Sequence, residues 1–507
     1  MNEKTPDSFT DITLTLSQAL DIICTEIPNI GGPSYRVPPL ILSRLARGGK
    51  TTVLRQLFDK LKEQGCAPII INFNGDTTRR KGESDVQLLL RLIGSQFVVD
   101  VPDEDMESLV CDQQSLMKHI DTTSDGKPVV LLIDELNALG TPINGKLGVL
   151  LKREFLDKKN RYLVYTSHVP MTVDTPLKES IQTGSGRQFK MVAHMPQTTD
   201  LQLLQSMSKE CGALTPTEMV LYGGIPALIY SVKTGQIDTS TRVTGDKDLM
   251  VLMRNGKRDN SLLLEILSSF LQGTPILDTH FHTYSTVLHG GEYFWPPCYM
   301  KGILSLFSDT TCQKIGDAIG TLFHDAQRIG SGKDWEGVVS IGILLRLLQN
   351  TLHRNSYKFP FPVLFPEHHH HHHEVGIDNE LFAGKDSDDA RKAILDHFDK
   401  NRDGPRIVLF NPQHNNFPTY DGFVCSRRTK NGPPEQIIGY QCKTGQTTVS
   451  VSPFSWVNRS YLLRGDASST GYKNSKGWIY LEVKEMKDLL GLSLAQLYPA
   501  DLPVSAS

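Results

Sequence analysis

The amino-acid sequence predicts an α/β protein: a parallel sheet covered by helices, followed by a second, C-terminal α/β domain. Three observations predict it. Short apolar runs at residues 37–42, 69–73, 129–133, 161–168 and 189–196 recur between segments with apolar residues at helical spacing. Strands that alternate with helices need crossover connections, so they pair in parallel and are buried on both faces. The first run leads into ILSRLARGGKTTVLRQL, residues 41–57, where a glycine turn stands between strand and helix. Near the C-terminus, FPTYDGFVCSRR and IIGYQCKTG read as two strands joined by the Asn-Gly and Pro-Pro turn of TKNGPPEQ.

A chain of 507 residues has length for roughly three domains. With 53 Lys and Arg against 56 Asp and Glu, the net charge is −3, which excludes a protein that is basic overall. Contact with nucleic acid must then come from local patches. No apolar run approaches the ~18 residues of a membrane span, so no membrane partner is expected. The opening MNEKTPDSFTDITLTL is acidic and polar where a secretory signal is basic and then apolar, so no signal peptide is expected. Eight cysteines without a CxxC pair fit reduced thiols in a nuclear or cytosolic protein, and their spacing gives no zinc site.

Residues 1–35 are an N-terminal extension with one amphipathic helix, carrying Leu14, Leu16, Ala19, Leu20, Ile22 and Ile23. Residues 36–196 form the predicted nucleotide-binding core. In its glycine turn, Arg47, Gly48, Gly49, Lys50, Thr51 and Thr52 would present backbone N–H groups and a helix N-terminus to a polyphosphate, ATP or GTP. Lys50 would reach the β- and γ-phosphates, and the Thr51 hydroxyl would hold Mg²⁺. The GxxxxGK(S/T) pattern is met except at its first glycine, where Arg44 stands.

The run VVLLIDELNALG places Asp134 and Glu135 at a strand end. Beside a phosphate turn, the first acid serves Mg²⁺ and the second polarises the attacking water. The ordinary reading, a buried strand with two solvated carboxylates, loses weight because GGKTT precedes it. Thr166, Ser167 or His168, ending RYLVYTSH, could sense the γ-phosphate, although polar strand ends are common. Arg187 in GSGRQF is either an arginine finger or, more simply, an exposed loop residue.

Residues 197–240 turn helical and end in LYGGIPALIY, where Gly224, Ile225 and Pro226 resemble the Gly-x-Pro lid turn of the STAND branch of AAA+-like ATPases. Residues 241–330 read as a mostly helical connector. Within it EYFWPPCYM is an aromatic cluster, more often core than binding surface.

Residues 331–490 are the predicted C-terminal domain, with residues 354–404 as an insertion and 491–507 as a tail. The apolar helix 331–350 carries Glu336 in its first turn. Gln441 and Lys443 lie two apart on a strand and so share a face, and the hairpin brings Asp421 beside them. Acidic and amide oxygens with a neighbouring lysine suit Mg²⁺-dependent phosphodiester hydrolysis. The ordinary alternative is a half-exposed hairpin with a polar wet face. The set resembles the PD-(D/E)xK restriction-endonuclease-like fold, with Gln441 where a glutamate is usual. That resemblance implies Glu336, Asp421 and Gln441 as metal-binding residues and Lys443 as the catalytic lysine. The insertion holds a helix at 390–398 and the histidine run 368–373, a solvated loop or an engineered tag with no catalytic role. GWIYLEV is a further strand whose tryptophan packs, and SRRTK, RSYLLRG and YKNSKG are basic clusters suited to phosphate contact.

Taken together, LARGGKTT, VVLLIDELNALG, GGIPALIY, KDWEGVV and YDGF with YQCKTG resemble the Crinkler and retrotransposon hot spot family. The resemblance implies a STAND-like NTPase fused to a nuclease, acting on DNA rather than RNA, in the nucleus, with NTP-dependent homo-oligomers. Members of its secreted branch open with an LFLAK-type header, which this sequence lacks. The rival expectation is a nucleotide-switched nuclear regulator whose C-terminal domain binds nucleic acid or a partner without cleaving.

Overall fold

The computed structural model describes residues 12–30, 36–43, 49–73, 79–97, 113–136, 145–167, 187–192, 209, 211–212, 214, 218, 221–235, 239–254, 260–277, 279–287, 292–307, 310–325, 332–352, 376–403, 406–413, 417–427, 431–443, 452–464, 477–481 and 483–495. The chain forms two compact units. One comprises residues 1–212, 225–230 and 277–291; the other comprises 213–224, 231–276 and 292–507.

In the first unit, β1 (Leu40–Ser43), β2 (Ala67–Asn72), β3 (Val129–Asp134), β4 (Arg161–Ser167) and β5 (Lys190–Met191) form the expected parallel sheet, in the order β2-β3-β4-β1-β5. The first strand begins at Leu40 rather than Val37 because Pro38 and Pro39 have no N–H for a ladder. Alternation along each strand divides the core between two faces. Leu40, Leu42, Val130, Leu132, Tyr162 and Val164 pack with α1 (Thr13–Glu26) and α2 (Lys50–Glu63). Ile41, Ile69, Leu131, Ile133 and Leu163 pack with α3 (Asp85–Phe97), α4 (Gln113–Thr123) and α5 (Gly145–Phe155). Each fully buried Leu or Ile on these faces contributes roughly 1.5–3 kcal/mol. The register pairs Leu42 with Thr166 and Asn72 with Asp134, so the C-terminal strand ends lie level.

After the first unit's sheet, Gly223 and Gly224 take positive φ (62° and 64°), and Pro226 opens α6 (Pro226–Lys233). Proline suits that first helical position because its missing N–H has no helical partner there. Among the described residues the α-helices α7 (Thr239–Thr244), α8 (Lys247–Arg254), α9 (Asn260–Gln272) and α10 (Met300–Ser305) follow. EYFWPPCYM is core: Trp295 is fully buried, and its Nε1 donates to Ser269 Oγ at 2.8 Å.

The second unit continues with α11 (Thr310–Asp325) and α12 (Gly332–Leu352), then a six-stranded mixed sheet. Its strands are β6 (Gly376–Phe382), β7 (Arg406–Pro412), β8 (Gly422–Arg427), β9 (Gln436–Lys443), β10 (Arg459–Arg464) and β11 (Trp478–Tyr480), side by side in chain order. The pairs β7–β8 and β8–β9 are antiparallel and the other neighbours parallel. Two helices complete the unit, α13 (Ser387–Lys400) and α14 (Val483–Ala495). The former starts where Asp386 accepts the N–H groups of Asp388 and Asp389. One sheet face packs α13 over Phe410, Phe423, Ile437 and Trp478. The other carries Tyr440, whose hydroxyl lies 3.0 Å from Ser340 Oγ on α12.

Candidate functional site

In the first unit, Gly49 has φ +81°, a conformation suited to glycine, and Lys50 opens α2 with its side chain buried. One residue on, Thr51 Oγ1 donates to Asp134 Oδ2 at 2.7 Å. The other carboxylate oxygen, Oδ1, accepts from Thr166 Oγ1, also at 2.7 Å. Thr166 Oγ1 in turn accepts the backbone N–H of Glu135 at 2.6 Å. Thr52 follows in the first turn of α2. Asp134 is thus a buried carboxylate held by two neutral hydroxyls at a helix N-terminus. Glu135 is half-buried and sits at φ +53°, a backbone cost of roughly 1–3 kcal/mol for a residue with a side chain. A carboxylate and a hydroxyl in contact are hard oxygen donors, the set that Mg²⁺ takes alongside phosphate and water, so these residues fit the ion.

Arg44, Arg47, Gly48, His168 and the histidine run lie outside the described residues. Thr166 gained its place through the register of β4 between β1 and β3, which no local pattern in the sequence reveals. Arg187 is neither a finger nor an exposed loop residue. It is buried, donates to Val37 O and Leu156 O, and pairs with Asp157. The guanidinium closes the base of the sheet.

In the second unit the structure brings Asp421, Gln441 and Lys443 together. Gly422 pairs with Tyr440, so Asp421, which precedes Gly422, lies next to Gln441 at the end of the ladder. Asp421 N–H donates to Tyr440 O at 2.9 Å, and Cys442 N–H donates to Asp421 Oδ2 at 2.5 Å. Burial pushes the Asp421 carboxyl up to about 6, against the opposing pull of the Cys442 N–H and the Lys443 charge. Gln441 Oε1 is buried with no hydrogen-bond partner among the described residues. Glu336 lies on α12, and its charge acts on Tyr440 and Cys442. Strand alternation turns those two side chains away from Gln441 and Lys443.

Among the described residues, no three His, Cys, Asp or Glu side chains gather as metal ligands. The donor set at the hairpin is one carboxylate and one orphaned amide oxygen. That suits a hydrated Mg²⁺, which commonly keeps several waters and takes one or two carboxylates.

Thr419 escaped the sequence reading. Tyr420 N–H donates to Pro418 O at 3.0 Å, which closes a γ-turn on Thr419 at φ +77°. Its hydroxyl is also buried without a partner among the described residues. The basic cluster SRRTK contributes less to a surface than expected. Arg427 is buried and donates to Phe398 O, Asn401 O and Gly432 O, closing the end of α13. Residues 428–430 lie outside the described residues.

No protein-family model matches the chain, and no curated protein matches it. Several solved structures are similar at low level. DnaA from Aquifex aeolicus bound to AMPPCP shares 12% identity, with 68% of this chain and 98% of that one covered at a TM-score of 0.30. Cdc6p from Pyrobaculum aerophilum shares 15%, with 65% and 88% covered at 0.31. A point mutant of RuvB from Thermotoga maritima shares 13%, with 52% and 79% covered at 0.26. Scores this low carry no argument about function.

Proposed function

We propose that this chain binds and hydrolyses ATP or GTP with Mg²⁺, and that its second site cleaves phosphodiester bonds in DNA. The first part rests on one observation, the 2.7 Å contact between Thr51 and Asp134 at the start of α2. Arg47, Gly48, Gly49 and Thr52 would offer backbone N–H groups to the phosphates, and Lys50 its ammonium. Thr51 and Asp134 would hold the cation, and Glu135 would polarise the attacking water. Mg²⁺ held there would neutralise charge on the phosphate oxygens.

The second part rests on the Asp421 carboxylate, held by the Cys442 N–H between Gln441 and Lys443, which share one face of β9. Asp421 and Gln441 would hold the metal, Glu336 would add its charge from α12 through water rather than as a direct ligand, and Lys443 would orient or deprotonate a water. The resemblance to the Crinkler and retrotransposon hot spot family supports DNA as target, a nuclear setting and homo-oligomers of the loaded protein.

The test is cleavage of plasmid DNA with Mg²⁺ and ATP each present or absent, beside Asp421→Ala and Lys443→Ala. Metal-dependent nicking that both variants lose supports the nuclease, and an ATP effect supports coupling. Lys50→Ala should weaken binding of a labelled ATP analogue, and unchanged affinity would overturn the first site. ATP hydrolysis without cleavage would leave a nucleotide-switched protein whose C-terminal domain binds nucleic acid or a partner. The neutral Gln441 favours that second reading, because it withholds a charge from the metal.

A further inference from the structure

Two buried oxygens have no hydrogen-bond partner among the described residues: Gln441 Oε1 on β9, and Thr419 Oγ1, two residues before Asp421 in the chain. A buried hydroxyl without a partner is costly, and native chains retain few of them. Thr419 is also β-branched and 5% exposed, at φ +77°, where such residues are genuine outliers. Glycine would take this conformation freely, so the γ-turn costs the fold both strain and an unmet hydroxyl.

The turn has a clear geometric effect. It ends the β8 approach immediately before Asp421, whose N–H meets Tyr440 O while its carboxylate takes the Cys442 N–H. The carboxylate is thereby fixed against the backbone of β9, next to Gln441 and Lys443.

Resting on the metal-site reading of the hairpin, we infer that Thr419 is a positioning residue of that site. Its γ-turn aims the Asp421 carboxylate, and its hydroxyl hydrogen-bonds, together with Gln441 Oε1, to the water shell of a divalent cation held by Asp421. The PD-(D/E)xK resemblance assigns no role to this position.

The experiment uses the full chain with Mn²⁺ as probe, titrated by electron paramagnetic resonance, with thermal melts in Mn²⁺-free buffer. The site in question is the one that Asp421→Ala removes, which separates it from the nucleotide site and the histidine run. Thr419→Ala should weaken that site by about 10–100-fold, the usual effect of removing an outer-shell partner. Thr419→Ser should restore it. Thr419→Gly should weaken it too, while raising Tm above wild type because both strain and the buried hydroxyl are gone. Wild-type affinity in Thr419→Ala overturns the inference and leaves the metal site standing. A Thr419→Gly protein that loses the site and also melts lower would make Thr419 a residue of the fold alone. If Asp421→Ala removes no Mn²⁺ site, the metal-site reading fails and the inference with it.

Discussion

Thr51 and Asp134, separated by 83 positions in the chain, share a 2.7 Å hydrogen bond across the end of the first sheet. Thr51→Ala leaves Asp134 Oδ2 without this donor in a buried setting, at a cost of roughly 1–3 kcal/mol. The variant should melt lower and lose Mg²⁺-dependent NTP hydrolysis, and Thr51→Ser should recover both. Calorimetry and phosphate release measure the two effects. Full hydrolysis by the alanine variant would remove Thr51 from the site.

Glu135 holds a left-handed backbone, φ +53°, beside the hydroxyl of Thr166. Replacing it by glycine removes strain of about 1–3 kcal/mol and adds roughly 0.5–1 kcal/mol of unfolded-chain entropy. Glu135→Gly should therefore be at least as stable as wild type while hydrolysing no NTP. Glu135→Gln should bind nucleotide normally and also fail to hydrolyse it. A hydrolysing Gln variant would mean that another group activates the water.

Burial raises the Asp421 carboxyl to about 6, above the ordinary ~3.9 of the unfolded chain. The folded state thus binds this proton more tightly. Its contribution to stability is full at pH below about 4 and is lost as pH rises through about 6. In metal-free buffer, Asp421→Asn should accordingly be more stable than wild type at pH 8, by roughly 3 kcal/mol. The gap should close on acidification. Denaturant melts at pH 4, 6 and 8 check this, and a gap independent of pH would show that the carboxyl is ordinary.

A Cβ at Gly439 would run into the Tyr420 ring, and one at Gly422 into the Tyr440 ring. Gly439→Ala should cost about 1–3 kcal/mol through displaced aromatic packing. Tyr420→Phe should cost less, through the hydrogen bond its hydroxyl shares with Ser460. Equal melting of Gly439→Ala and wild type would refute the close fit.

Where the chain's own period carries the signal, the sequence was legible. The apolar runs marked the strands of the parallel sheet within a few residues, and the Asn-Gly turn marked the β8–β9 hairpin. The places of Lys50 and Thr51 at a helix start and of Asp134 at a strand end were legible because a glycine turn and an apolar run ending in a carboxylate are local patterns. Thr166 stood out only as one of three polar residues at a strand end, since its contact with Asp134 depends on which strand lies between β1 and β3. Arg187 and Arg427 misled for a related reason: an arginine in a loop looks solvated until the carbonyls it closes are placed around it. The strand β6 escaped because it follows the histidine run without a turn signal. Nothing in the letters Pro418-Thr419-Tyr420 announces a γ-turn, because threonine seldom occupies one.

The two glycine–tyrosine contacts of the hairpin also act as a key. Each arm carries one gap and one wedge, and each wedge seats only when Gly422 faces Tyr440 and Phe423 faces Gly439. Sliding the pair by two residues would keep every side chain on its proper face, yet it would drive Tyr440 against Val424 or Tyr420. Hydrophobic pattern alone leaves that slip open. The aromatic wedges shut it, and so the alignment of Asp421 with Gln441 is written into residues that have no chemistry of their own.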